Sequence, residues 1–176
     1  MRTLLVGLAL LLATPSTPAL AKGGSPAAKK SGKASDSEAD PNAVVAKAHG
    51  GKLWIVTGTP PSSEGEDLSK WLAAHPSVTE LTKKPNEERW PVTLIAVFKK
   101  PPAKGAVTIE IIDKKDPKTL VDQYSSNTTA TSVVFQEPYD LDTNNGINKG
   151  HTYVIKVGQI IKGKFISYVS SEISLK

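Results

Sequence analysis

Cysteine is absent from all 176 residues. The chain therefore has no disulfide, no thiol nucleophile and no thiolate metal site, and it cannot carry a lipid on a cysteine. Its fold has to rest on its hydrophobic core alone. Past Leu12 there is no apolar run approaching the ~20 residues that cross a bilayer as a helix. Catalytic signatures are missing as well. There is no Gly-x-Ser-x-Gly turn and no glycine-rich phosphate cradle. His49, His75 and His151 lie far apart, without the His-x-His or His-x₃-His spacing that brings metal ligands together. Glu87 and Glu88 are adjacent, so they project differently and do not form an acid–base pair. Serines such as Ser125, Ser170 and Ser171 occupy ordinary exposed β positions.

What charge there is proves nearly balanced. The formal net charge is +5, but Arg2 lies in the N-terminal segment and Lys22 to His49 carries five lysines against Asp36, Glu38 and Asp40. From Gly50 onward there are 16 basic and 14 acidic residues. Such a domain lacks the concentrated positive field that phosphate backbones require, so nucleic acid is not expected as a partner. Lysines 99, 100, 114 and 115 fall at strand ends, where solvated charge discourages edge-to-edge pairing.

The N-terminus reads "MRTLLVGLALLLATPSTPALA". A basic start, an apolar stretch and Ala19-Leu20-Ala21 make the three parts of a secretory signal peptide. Cleavage is expected after Ala21, giving a periplasmic or extracellular chain with no membrane span. Residues 22–41 contain no aromatic residue and no Val, Ile, Leu or Met. They cannot bury enough apolar surface to offset ordering entropy, so residues 22–49 are expected to be a flexible tether before a domain at 50–176, with Asn42 to His49 ambiguous and open to a helical turn. Lys29, Lys30 and Lys33 could attach that tether electrostatically to an anionic surface, although a plain spacer is the simpler account.

Within 50–176 the dominant period is two. "GKLWIVTG" reads as a first strand. "SSEGEDLSKWLAAHPS" then has Ser63 and Glu66 at capping-box spacing, with Leu68, Trp71, Leu72 and His75 on one helical face. Strands follow over "WPVTLIAVFKK", "AVTIEIID", Thr119–Tyr124, Ala130–Gln136, "HTYVIKVGQII" and "KFISYVSSEISL". In the first of these, Val92, Leu94, Ala96 and Phe98 share one face and Ile95 and Val97 the other, as in a central strand. Lys162-Gly163 forms a two-residue hairpin turn. The expected fold is mainly β: an antiparallel immunoglobulin-like β-sandwich of about seven strands, with one short helix inserted after the first strand.

The segment "NKGHTYVIKVGQIIKGKFISYVSSEISL" resembles the last two strands of immunoglobulin-like or fibronectin type III-like domains. The resemblance implies that Tyr153 bonds through its hydroxyl back to the preceding corner. The immunoglobulin Cys…Trp…Cys pattern is absent, and the helix is an insertion relative to the simplest members. The chain also resembles short exported bacterial proteins of unknown function, which implies no activity.

One stretch, "PYDLDTNNGINKGHTY", raises a metal question. Asp140, Asp142 and Asn144 alternate like calcium-loop ligands. Counted from Asp140, however, position 6 is Asn145 and position 12 is His151, where an EF-hand needs glycine and a bidentate glutamate. A corner turned by Asn145-Gly146 is the simpler reading, and no metal or cofactor is expected. Trp54, Trp71, Trp90, Tyr124, Tyr139 and Tyr168 could line a sugar platform. Core packing accounts better for Trp54 and Trp71, while Tyr168 is expected on the outward face of the last strand. Asn127-Thr128-Thr129 fits the N-glycosylation pattern, incidental beside a bacterial-looking signal. These features lead to a non-catalytic exported module that binds an unidentified protein or glycan at the cell envelope. The alternatives are a hydrolase assembled from distant loops, marked by His151 beside a carboxylate in a polar pocket, and a calcium-stabilised adhesion-type domain.

Overall fold

The computed structural model describes residues 40–82, 87–129 and 132–176. The expected signal peptide and most of the expected tether lie outside the described residues. The described chain runs α1 (Ala43–His49), β1 (Lys52–Val56), α2 (Gly65–Ala74), β2 (Glu80–Leu81), β3 (Arg89–Val97), β4 (Ala106–Asp113), β5 (Leu120–Thr129), β6 (Val134–Asp142), a 3-10 turn (Thr143–Asn145), β7 (Thr152–Ile161) and β8 (Lys164–Leu175). It is mainly β, with two sheets and two helices. Eight strand segments are described against the seven expected. The additional one is the two-residue β2, too short to leave a periodic signal.

The smaller sheet has the order β1-β3-β6, antiparallel throughout. The larger has the order β2-β8-β7-β4-β5, antiparallel except where β2 runs parallel to β8. The period-two pattern explains the position of β3. Leu94 and Ala96 point into a cluster with Ile109, Ile155 and Ile173 of the larger sheet, while Ile95 and Val97 face the opposite way. That second face is covered by Val45 of α1 and by Leu68 and Leu72 of α2. β1 divides likewise, with Leu53 and Ile55 in the first cluster and Trp54 and Val56 in the second.

The helices differ from expectation in two ways. Residues 43–49, counted with the tether but open to a helical turn, form a helix of seven residues. Val45 is fully buried, and the His49 imidazole meets the Ser69 carbonyl and hydroxyl at 3.0 and 3.1 Å. A sparse apolar pattern of two valines leaves this helix ambiguous in the sequence, because its stability comes from α2 and the sheet rather than from its own amphipathicity. The capping box of Ser63 and Glu66 does not form either. α2 starts at Gly65, whose amide donates to the Asn42 Oδ1 at 3.0 Å. Asn42, buried and also donating to the Ser132 hydroxyl at 3.1 Å, supplies a cap from outside the helix.

β5 and β6 run longer than the sequence pattern indicates. β5 continues to Thr129, and β6 includes "PYDLD", beyond the strand end expected at Gln136. Two polar clusters replace the hydrophobic alternation here. Tyr139 donates to the Asp122 carboxylate, which also accepts from Asn145 Nδ2 at 3.2 Å. Tyr124 and Ser126 donate to the two oxygens of Glu137 at 3.1 and 3.0 Å. These bonds join an edge strand of one sheet to an edge strand of the other.

The last hairpin turns at Lys162 and Gly163, whose φ values of 51° and 75° fit the primed turn that matches strand twist. Beyond it, the β7–β8 register shifts between Val157, opposite Val169, and Gly158, opposite Ser167. Tyr168 is thus the extra residue of a bulge. At Gly158 the strands approach so closely that an added Cβ would lie 2.0 Å from the Ile166 carbonyl oxygen. Gly158→Ala is therefore expected to lower stability by about 2–3 kcal/mol, read as a fall in the urea midpoint. An unchanged midpoint would show that the bulge tolerates a side chain.

Candidate functional site

The bulge re-aims one side chain, and the site begins there. Strict alternation puts Tyr168 outside. Instead it is half-buried, packs edge-on against Phe98 at 5.7 Å, and donates through its hydroxyl to the Gln159 Oε1 at 3.0 Å. Gln159 is 3% exposed, so each of its polar atoms needs a partner. Its Nε2 donates to the carbonyls of Ala103 at 2.8 Å and Gly105 at 3.2 Å. One amide thereby ties the β3–β4 loop, "KKPPAKG", to the β7–β8 bulge. Pro101 and Pro102 limit the backbone freedom of the same loop.

The result is a cavity of about 440 Å³ lined by Phe98, the 99–103 segment, Ser167 and Tyr168. Its volume falls in the range of small-ligand sites, roughly 300–1,000 Å³. Phe98 and Tyr168 supply aromatic walls, Lys99 and Lys100 exposed ammonium donors, and Ser167 and Tyr168 hydroxyls. No carboxylate or imidazole lines it, so it can hold a ligand by apolar contact and by donors but offers no acid–base pair. Sequence reasoning noted Tyr168 and the lysines separately and missed Gln159. A lone glutamine in the apolar run "VIKVGQII" was the available signal.

The other candidates are dispersed. Asp140 lies on β6 and pairs with Arg89 at 2.9 Å. Asp142 precedes the 3-10 turn and accepts from the Asn144 amide at 2.8 Å and its Nδ2 at 2.9 Å. Gly146 completes this corner at a φ of 82°. Asn144 is thus Asp142's donor partner in a turn. Among the described residues no three His, Cys, Asp or Glu side chains gather as a metal site. Trp54 and Trp90 are buried, and Trp71 stacks on His75 at 4.3 Å. His75 follows α2 and donates from Nδ1 to the Trp71 carbonyl at 2.8 Å. Tyr139 and Tyr124 are engaged at the β5–β6 seam. Burial, and then the Asp122 bond and charge, push the Tyr139 phenol far above its ordinary range, so it remains a donor.

His151 does have a carboxylate beside it. Its Nδ1 lies 2.5 Å from the Asp113 Oδ2, joining the start of β7 to the end of β4. Asp113 Oδ1 also accepts from the Lys115 amide at 2.9 Å, which shapes the β4–β5 turn. Burial raises the Asp113 pKa, but the Lys115 amide, the His151 hydrogen bond and the charges of both residues outweigh it, leaving the carboxyl below its ordinary 3.8. Nearby, the Tyr153 hydroxyl accepts from the Asn148 amide at 2.6 Å and reaches back to the Asn148 carbonyl at 3.5 Å. The Tyr153 hydroxyl thus holds the segment that precedes β7.

Two outcomes check these assignments. Gln159→Leu leaves two loop carbonyls and the Tyr168 hydroxyl without their partner. A loss of about 1–3 kcal/mol is expected, with faster hydrogen exchange over residues 99–105; unchanged exchange there would remove Gln159 as the brace. Asp113 has a depressed folded pKa, so its contribution is present above the unfolded value and disappears as pH falls through the folded one. Asp113→Asn should be less stable than the parent at pH 7, the gap closing in thermal melts taken toward pH 2. A constant gap would contradict the shift. No protein family matches this chain, and neither does any curated protein or solved structure.

Proposed function

We propose that the chain is an exported, non-catalytic binding or structural module of the periplasm or cell surface, built as an immunoglobulin-like β-sandwich, and that it engages its partner at the Gln159-braced end. The observation that carries this reading is the lining of the 440 Å³ cavity: aromatic walls, lysines and hydroxyls, with neither carboxylate nor histidine. Such a lining favours recognition over proton transfer. The sandwich reading is supported by a hydrophobic cluster drawn from both sheets and by the Tyr153 corner bond. Export rests on the signal-like N-terminus.

A hydrolase is the second reading, favoured by the single contact between His151 and Asp113. That pair is the orienting half of a catalytic triad. Among the described residues, however, no serine or threonine hydroxyl is hydrogen-bonded to His151, and Asp113 already serves the Lys115 turn.

Expression of the full chain in a secretory bacterial host tests the proposal. The exported product should have the mass of residues 22–176; an uncleaved chain retained in the cytoplasm overturns export. Because the chain has no native cysteine, Ala103→Cys can carry a photoactivatable crosslinker at the cavity alone. A discrete adduct is expected on illumination of producing cells. If no adduct forms and the protein instead hydrolyses a substrate, with loss in His151→Ala, the hydrolase reading replaces this one.

A further inference from the structure

At the Gln159-braced end, charge and apolar surface coincide. Between Phe98 and Ile109 the only charged residues are Lys99, Lys100 and Lys104, and between Val157 and Ser171 only Lys162 and Lys164. All five are exposed, and none forms an ion pair among the described residues. The fold gathers them. Ala103 and Gly105 are tied to Gln159, while Ala103–Ala106 and Ile160–Ile161 line one cleft. Beside the lysines, the β7–β8 hairpin exposes Ile160 at 48%, Ile161 at 39% and Ile166 at 44%. Asp40 also reaches this region, where its carboxylate binds the Ser132 hydroxyl and the Val133 amide. At the opposite end Arg89, Lys114 and Lys176 are paired with Asp140, Glu172 and Glu80, and Lys115, Lys118 and Lys149, which form no ion pair among the described residues, share that end with the carboxylates of Asp113, Asp116 and Asp142. The near-neutral total thus conceals a local positive field.

We propose that this end docks on an anionic lipid bilayer, with the isoleucines of the β7–β8 tip entering the headgroup–acyl boundary and the lysines of the tip and the 99–104 loop meeting lipid phosphates. The proposal names the partner of the binding module and rests on that reading. Two features favour a bilayer over a soluble polyanion. Aliphatic side chains gain by leaving water for acyl chains and gain nothing from a sugar or phosphate polymer. Lysine stems can lie along the apolar boundary while their ammonium groups stay at headgroup level. A nucleic acid would call for exposed stacking rings, whereas Phe98 is buried and Tyr168 is packed against it.

The test uses the chain's lack of native cysteine. Ile161→Cys, labelled with an environment-sensitive dye, reports the tip; Lys118→Cys, in the exposed β4–β5 turn, reports the far end. Each labelled full-length chain is mixed with phosphatidylcholine vesicles with and without phosphatidylglycerol. The expected result is a blue shift at the tip only, with anionic vesicles only, reversed by salt. Replacing Lys99, Lys100 and Lys104 together by glutamine should weaken partitioning roughly a hundredfold. Ile160→Ser with Ile166→Ser should abolish the blue shift, and Lys29, Lys30 and Lys33 to glutamine should leave it intact. Melts of all variants confirm folding.

No tip shift, an equal shift at both ends, or an equal shift with soluble dextran sulfate would overturn the proposal. So would loss of the shift in the Lys29, Lys30 and Lys33 variant. No tip shift together with a cavity adduct at Ala103 would leave the binding-module reading standing, whereas loss of both would remove the two together.

Discussion

Everything else in the fold depends on β3 being buried on both faces. With no covalent crosslink available, cohesion must come from apolar contact. β3 supplies it twice, to the larger sheet through Leu94 and Ala96, and to the helices through Ile95 and Val97. A strand in that position has no solvent face on which to place a charge, and "VTLIAVF" contains none. Its neighbours β1 and β6 are fixed against it by antiparallel ladders, so the helical layer and the larger sheet are held through the same residues.

Around this apolar axis, buried and half-buried polar groups act as ties between elements distant in sequence. Asn42 caps α2 from beyond the helix, Asp122 and Glu137 hold the two edge strands through tyrosine and serine hydroxyls, and Gln159 holds the β3–β4 loop. At Asn42 and Gln159, which are buried, loss of the partner would cost the desolvation of the group, about 1–3 kcal/mol. These ties decide local shape where hydrophobic burial, being non-directional, cannot. The cavity at Phe98 and Tyr168 results from one of them. A bulge turns the tyrosine inward, and a glutamine anchors the loop that closes over it.

Much of the fold could be read directly. The strands of β1, β3, β4, β7 and β8, the Lys162-Gly163 turn and the buried face of α2 follow from periodicity. The limits came where polar residues took over. "PYDLD" carries carboxylates and so reads as a loop, yet β6 absorbs it by pairing Asp140 with Arg89 and by burying Leu141. α1 has so few apolar positions that its sequence supports no more than an ambiguous helical turn. For the site, Lys99, Lys100 and Tyr168 were visible as residue types. Their meeting was not, because one extra residue opposite Gly158 reverses the alternation that places a side chain in or out.

By itself the sequence determined the absence of crosslinks, the dominance of β structure, the double-faced central strand and the tight final hairpin. Each of these follows from local composition and period. The tertiary structure alone decided that Asn42 would cap a helix it does not belong to, that Gln159 would bind two loop carbonyls, and that five lysines would gather at an end exposing three isoleucines. The physical reason is range. Hydrophobic period and turn chemistry act over a few residues, whereas a hydrogen bond or a charged patch between distant segments exists only once strand register brings them together.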